Sequence, residues 1–345
     1  ETGFTSYNGT SVGRIVRLNS DGTLDTTFNT NVGTGFNDYV LKMIVQSDGK
    51  ILIIGYFVSF NGTSVPGLVR LNSNGTLDTA FNTNIGPGFN DPVSAPPSDV
   101  GIQSDGKIVL VSQNIKFNGV SATGIVRLNS DGTLDTTFNT NAGTGFNYKA
   151  YRTVIQSDGK ILVVGGFTSF NGTFVGRIVR LNSNGTLDTG FNTNIGDGFD
   201  QQVFRLHLQP DGKILVSGYF TYFQTTPSNS FTRLNSDGTL DTTFNTNIGT
   251  GFNNSYVEPA AFQSDGKIIL GGDSTSFNGT SIGYIARLNS DGTLDTTFNS
   301  NAGTGFDGGV YGFFLQVNNI LVVAGNFLNY NGISTKYICR LGLGI

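Results

Sequence analysis

Arginine recurs in one setting seven times, as Arg17, Arg70, Arg127, Arg180, Arg233, Arg287 and Arg340, each followed by Leu. Asp25, Asp78, Asp135, Asp188, Asp241 and Asp295 recur in step with it, eight residues after each of the first six arginines. Such a pair could hold an ion or a charged substrate. An active site is a single asymmetric constellation, however. A pair copied into every unit is expected to hold that unit together as an Arg–Asp link. The Ser-Asp-Gly turns invite a calcium reading, but Ca²⁺ takes six to eight oxygens, often several of them carboxylates. Asp21 and Asp25 supply two carboxylates, and Asn74 and Asn184 stand where Asp21 stands. Turn chemistry explains that exchange better than metal binding does.

His207 is the only histidine and Cys339 the only cysteine. No Ser/His/Asp or Cys/His set and no His-rich metal site can be assembled from them, and His207 is expected to pack. A glycosidase-type carboxylate pair is conceivable in principle, but no acidic pair stands apart from the repeat. The expectation is therefore a protein that is not an enzyme, with no cofactor and no metal. Asn-Gly-Thr at Asn8, Asn61, Asn171 and Asn278 matches a glycosylation acceptor, as do Asn74 and Asn184. Asn-Gly also suits a tight turn, which is the simpler reading.

These residues are positioned by a repeat. The Arg-Leu intervals are 53, 57, 53, 53, 54 and 53 residues, with the excess lying in Asp91–Pro97. Each unit reads as four short strands, A to D. In the second unit A is Val40–Gln46, B is Lys50–Gly55, C is Gly67–Asn72 and D is Thr76–Phe81. Short β-rich runs between Gly-containing turns indicate all-β structure, and no segment shows a helical period. The fourth complete unit has Pro210-Asp211-Gly212, which suits a three-residue loop ending in a left-handed Gly. That register sets Arg17 directly opposite Asp25. Four antiparallel strands per unit, six or seven times over, indicate one β-propeller over residues 1–345, built from about six and a half repeats of 53–57 residues. Seven blades with the first and last incomplete use every strand, and six is the alternative. A β-solenoid is the runner-up.

Glycine numbers 49 of 345 residues, about twice its ordinary share, and 37% of residues are hydrophobic, enough for a core. Charged residues are 13% and the net charge is −4, which argues against a nucleic-acid binder. No apolar run approaches a membrane helix, so no membrane insertion is expected. The chain has only two Glu, Glu1 and Glu258, and is rich in Asn, Thr, Ser and Gly. That balance fits an extracellular or cell-surface setting. Glu1 is preceded by neither an initiator Met nor a signal peptide, which reads as a processed product or an excised segment.

The runs Arg-Leu-Asn-Ser-Asp-Gly-Thr-Leu-Asp-Thr-Thr-Phe from Arg17 and Arg127, followed in phase by Gln-Ser-Asp-Gly-Lys-Ile-Leu from Gln46 and Gln156, resemble the delta-60 repeat β-propeller family over nearly the whole chain. The resemblance implies a propeller of bacterial surface, secreted or phage-associated proteins. It brings no catalytic residues. The last unit departs from it, with Gln316-Val317-Asn318-Asn319 in place of Gln-Ser-Asp-Gly.

Residues identical in every unit answer to the common fold. Residues that differ are free of it. The position four before the Gln that ends strand A reads Lys42, Asp99, Arg152, Arg205, Pro259 and Gly312, and its predecessor reads Leu41, Ser98, Tyr151, Phe204, Glu258 and Tyr311. Aromatic rings offer faces to sugars or protein side chains, and Arg offers forked donors to carboxylates. The candidate ligand-binding set is Tyr39, Lys42, Tyr151, Arg152, Phe204, Arg205, Tyr256 and Tyr311. The partners expected are a glycan or protein surface, or other subunits of a larger assembly. Strand A of a propeller lines the central channel, so these candidate residues are expected to gather at one channel mouth, and the functional expectation is a non-enzymatic extracellular recognition or adhesion module binding at that face. The alternatives are a structural component of a surface appendage, secretion-linked assembly or virion, and then a polysaccharide-active enzyme.

Overall fold

The computed structural model describes residues 4–89, 96–113, 115–122, 124–253, 257–316 and 319–343. The recurring module is a three-stranded antiparallel sheet in the order A-B-C. In its first complete form, Val40–Val45 pairs with Ile51–Gly55, which pairs with Leu68–Leu71. The A-to-B turn leaves three residues outside the ladder, because Gln46 N–H donates to Lys50 O at 2.8 Å. The C-to-D turn does the same, with Asn72 N–H donating to Thr76 O at 2.8 Å. Its Gly75 has φ +91, and a Cβ there would lie 3.0 Å from the Phe28 ring of the preceding module. As the loop length requires, Leu18 bridges Leu24 and Asp25 N–H donates to Arg17 O at 3.0 Å. Asn61 (φ +45) and Gly62 (φ +77) form the two-residue loop of a hairpin joining Ser59–Phe60 to Thr63–Ser64. Positive φ at both central positions is what Asn-Gly supplies.

The fourth strand is reduced to one bridge, Leu71 to Leu77, and the chain then turns helical. The helix Thr79–Ile85 begins at Asp78, whose carboxylate accepts from Phe81 N–H at 3.4 Å. Six such seven-residue helices occur among the described residues, each capped by the recurring Asp. Each buries a residue pair spaced one turn apart, such as Phe28 and Val32. Two turns carry too little periodicity to stand out from β-prone Thr-Thr-Phe, so the cap is the decisive local signal. None of the described helices is long and apolar enough to cross a membrane.

The chain divides into two compact units. The first comprises residues 1–163, 167–174 and 180–187, the second 164–166, 175–179 and 188–345, and the boundary passes through the third sheet. Within the first unit, Leu52, Ile54 and Leu68 of one sheet face Val100, Leu110 and Val126 of the next, with Phe81, Ile85 and Phe89 between them. In the second, the sheet Val257–Phe262, Ile268–Gly272, Ala286–Leu288 joins the sheet Val310–Leu315, Ile320–Gly325, Ile338–Gly342 through a Gly272–Val310 pair. Leu215 and Phe231 pack there against Leu270 and Ala286.

The recurring arginine locks each module. Arg70 Nε donates to Asp78 Oδ2 at 2.8 Å, and its guanidinium lies 3.9 Å from the Phe81 ring centre. Arg70 Nη1 then reaches Ser130 O in the turn of the following module at 2.7 Å. Arg127, Arg233 and Arg287 repeat the Asp contact and the ring contact. Lys50 Nζ adds a second cation to Asp78 at 3.0 Å. Burial alone would push the Asp78 carboxyl up. The hydrogen bonds from Lys50, Arg70 and Phe81 N–H outweigh it and hold the group below the usual carboxylate range. Asp135, Asp241 and Asp295 are held down in the same way.

Asp78→Ala removes a helix cap and leaves Arg70 buried without its anion, so it should cost about 3–5 kcal/mol in urea unfolding. Asp25→Ala should cost less, because the Arg17 side chain is 42% exposed. Acid should act through the same groups. Carboxylates with a lowered folded pKa add stability above the unfolded value near pH ~4 and lose it as pH falls through the folded value. The urea midpoint should hold steady from pH 7 to about 5 and then fall below about 4.

Candidate functional site

The variable position ahead of the charged one has a structural cause. Val40 pairs with Gly55 and Lys42 with Ile54, so Leu41 is an extra residue in the A strand. Ser98, Phe204 and Tyr311 are extra in the same sense in their sheets. A β-bulge leaves one residue outside the ladder and re-aims its side chain. The bulged residue can then vary without disturbing the pairing. In the Val257–Phe262 strand the shift falls between Pro259 and Ala261, so Glu258 stays in register opposite Gly271.

In the first unit, Tyr39 precedes the bulge and Tyr56 follows the B strand. Their rings meet edge to face, 6.3 Å between centres and 78° between planes. Tyr56 N–H donates to Tyr39 O at 2.9 Å, fixing the two backbones together. Asp38 Oδ1 accepts from Tyr39 N–H at 2.8 Å. Asp38, Tyr39, Val40, Leu41 and Tyr56 line an open depression of about 470 Å³. A second one of about 250 Å³ adjoins it, sharing Tyr39, Val40 and Leu41 and adding Phe4, Arg14 and Lys42.

The charged members of the predicted set bind protein groups. Lys42 Nζ donates to Asp99 Oδ1 and, at 3.1 Å, to Val100 O. Asp99 is 2% exposed, and its other oxygen accepts from Thr153 N–H at 2.9 Å. Arg152 Nη1 donates to Ser98 O and to Tyr151 O, each at 3.2 Å. These contacts tie the A strand of one module to that of the next. The structure thus brings Tyr39 and Lys42 to one depression and uses Arg152 as a strand link. Tyr151 is partly buried next to Tyr148, and burial pushes its phenol up.

In the second unit, Phe204 meets Tyr219 edge to face at 4.6 Å. Arg205 Nε donates to Glu258 Oε2, and His207 Nε2 lies 3.3 Å from Glu258 Oε1. Burial would raise the Glu258 carboxyl, but hydrogen bonds and charge from His207 and Arg205 hold it down. His207 therefore packs against an acid. Tyr311 Oη donates to Asp273 Oδ1 at 2.6 Å. Tyr256 lies outside the described residues.

Sequence reasoning missed Tyr56, Tyr219 and Asp273. The position after strand B reads Tyr56, Gln113, Gly166, Tyr219, Asp273 and Asn326, so its variability was a usable signal. The turn carboxylates behave as turn residues. Asp21 Oδ1 accepts from Thr23 N–H at 2.9 Å and Thr23 Oγ1 at 2.6 Å, and Asn74 Oδ1 does the same for Thr76. Among the described residues no group of three or more His, Cys, Asp or Glu could hold a metal ion.

Repeated antiparallel sheets with a recurring Arg–Asp clamp and variable residues at the bulge define a β-propeller. The chain belongs to the family described as "Domain of unknown function (DUF5122) beta-propeller", whose model matches seven stretches: residues 3–28, 46–81, 103–138, 156–191, 209–244, 263–298 and 318–343. The first and last matches are the short ones. No curated protein matches the chain. Among solved structures, YCF48 from Cyanidioschyzon merolae is similar at 12% identity, with 90% of this chain and 87% of that one covered and a TM-score of 0.42. A protein of unknown function from Bacteroides caccae is similar at 16% identity, covering 83% and 81%, with a TM-score of 0.35. PorZ of Porphyromonas gingivalis, a bacterial surface component of the type-IX secretion system, is similar at 11% identity with a TM-score of 0.34. The match covers 90% of this chain and 39% of PorZ.

Lys42→Ala should strip Asp99 of its cation while leaving it buried, costing about 2 kcal/mol in urea unfolding. Lys42→Ala combined with Asp99→Asn should recover part of that loss, and a double-mutant cycle measures the coupling.

Proposed function

We propose that the chain is a non-enzymatic extracellular recognition or adhesion module that captures a glycan or protein surface at the bulged starts of its A strands. One observation carries this reading. The side chains copied from module to module are consumed by the scaffold, whereas aromatic pairs stand at positions that differ. Tyr39–Tyr56 borders an open depression, and Tyr219, paired with Phe204, is 60% exposed. Half-buried tyrosines on a rigid sheet combine apolar area with a polar end at low entropic cost. The absence of enzymatic activity is part of the proposal. It draws support from the carboxylates beside these rings, since Asp99, Glu258 and Asp273 each accept from protein donors. The extracellular setting draws support from the composition.

A structural role in a surface appendage, secretion-linked assembly or virion is the second reading. Met43 is 47% exposed, whereas its counterpart Val100 is fully buried against the preceding sheet. A subunit would cover such a residue.

The two readings separate by mutation. The double variant Tyr39→Ala/Tyr56→Ala should keep its melting temperature within a few degrees and lose capture on glycan and protein arrays. Unchanged capture by this folded variant removes the recognition site from this depression.

A further inference from the structure

The recognition reading leaves the chemistry of the ligand open, and the charges around the Tyr39–Tyr56 depression narrow it. Three charged residues line it or the adjoining depression, Asp38, Arg14 and Lys42, and Asp99 stands behind Lys42 as its counter-ion. Lys42 is held by Asp99, which is almost fully buried. Arg14 Nη1 donates to Phe36 O at 2.7 Å. Arg177, at the equivalent position three modules on, donates likewise to Phe199 O, which marks this arginine as part of the scaffold. An anionic ligand would meet a Lys42 whose charge Asp99 already neutralises, and drawing Lys42 away would leave a buried carboxylate without its cation. It would also meet the Asp38 carboxylate at the rim.

The groups left over suit a different ligand. Among the described residues, the phenol oxygens of Tyr39 and Tyr56 have no hydrogen-bond partner, nor has Asp38 Oδ2. These groups offer two donors and several acceptors beside two aromatic rings. That is the complement of a sugar ring, which carries hydroxyls at its edge and C–H groups on its face. The volume of about 470 Å³ falls in the ordinary range for small-ligand sites. A peptide is less well served. The A strand is a sheet edge that a peptide could extend, but the bulge at Leu41 interrupts its ladder.

We propose that this depression binds a neutral oligosaccharide, with the Tyr39 and Tyr56 rings against the sugar and Asp38 Oδ2 accepting from a sugar hydroxyl. The inference rests on the recognition reading and adds the ligand class.

The test uses the whole chain in calorimetric titrations with maltohexaose, cellohexaose and mannohexaose, and with oligogalacturonate and sialyllactose as acidic probes. At least one neutral sugar should bind, with an affinity that changes less than about twofold between 50 and 500 mM salt. Tyr39→Ala and Tyr56→Ala should each weaken it about tenfold without lowering the melting temperature. Asp38→Asn should weaken it by a smaller factor and should not create binding of oligogalacturonate. Tighter binding of an acidic probe, fading with salt, overturns the neutral class and leaves the recognition reading standing. Binding of none of the five sugars overturns the sugar proposal. If the tyrosine variants then also leave capture on a protein array unchanged, the recognition site in this depression falls with it.

Discussion

The guanidinium of the recurring arginine is the contact on which the rest depends. It meets three things at once: the carboxylate that caps the helix, the ring that the helix buries, and a carbonyl in the next module's turn. A three-stranded sheet cannot bury both faces alone. Its neighbours must do so, and the clamp fixes the distance at which they sit. Because one side chain answers to strand, helix and neighbour, its partners cannot drift separately. This explains why Arg, Asp and Phe recur together from module to module while the residues around them change.

Much of this was legible in the chain. The A, B and C strands follow from short β-rich runs between Gly-containing turns, and the Arg–Asp pairing follows from a three-residue loop and an eight-residue spacing. The helix was not legible. Thr79–Ile85 is two turns long, and its first residues favour a strand by type. What makes it helical is Asp78, a cap already assigned to an ion pair. One carboxylate serves both roles, with Oδ1 on the Phe81 amide and Oδ2 on Arg70.

The site was legible in part. Tyr39 and Lys42 were found because they vary, and they do line one depression. The fate of the charges was hidden. Lys42 and Asp99 are 57 residues apart, and nothing in either sequence window shows that same-rank positions of consecutive modules face each other. The variable cation Lys42 lines the depression and also bonds one strand to the next. Tyr56 and Tyr219 do not stand out along strand A, because the partner of each A-strand start lies just after strand B.

The extra residue at the start of the A strand has a consequence for descent by duplication. A copied module inherits its clamp, turns and core, and changing any of these unsettles its neighbours. The bulged residue is exempt, because no partner across the ladder constrains its size or polarity. Leu41, Ser98, Phe204 and Tyr311 show that range already. An array of this kind can change the chemistry of its surface one substitution at a time at these places, while the framework that carries them stays fixed.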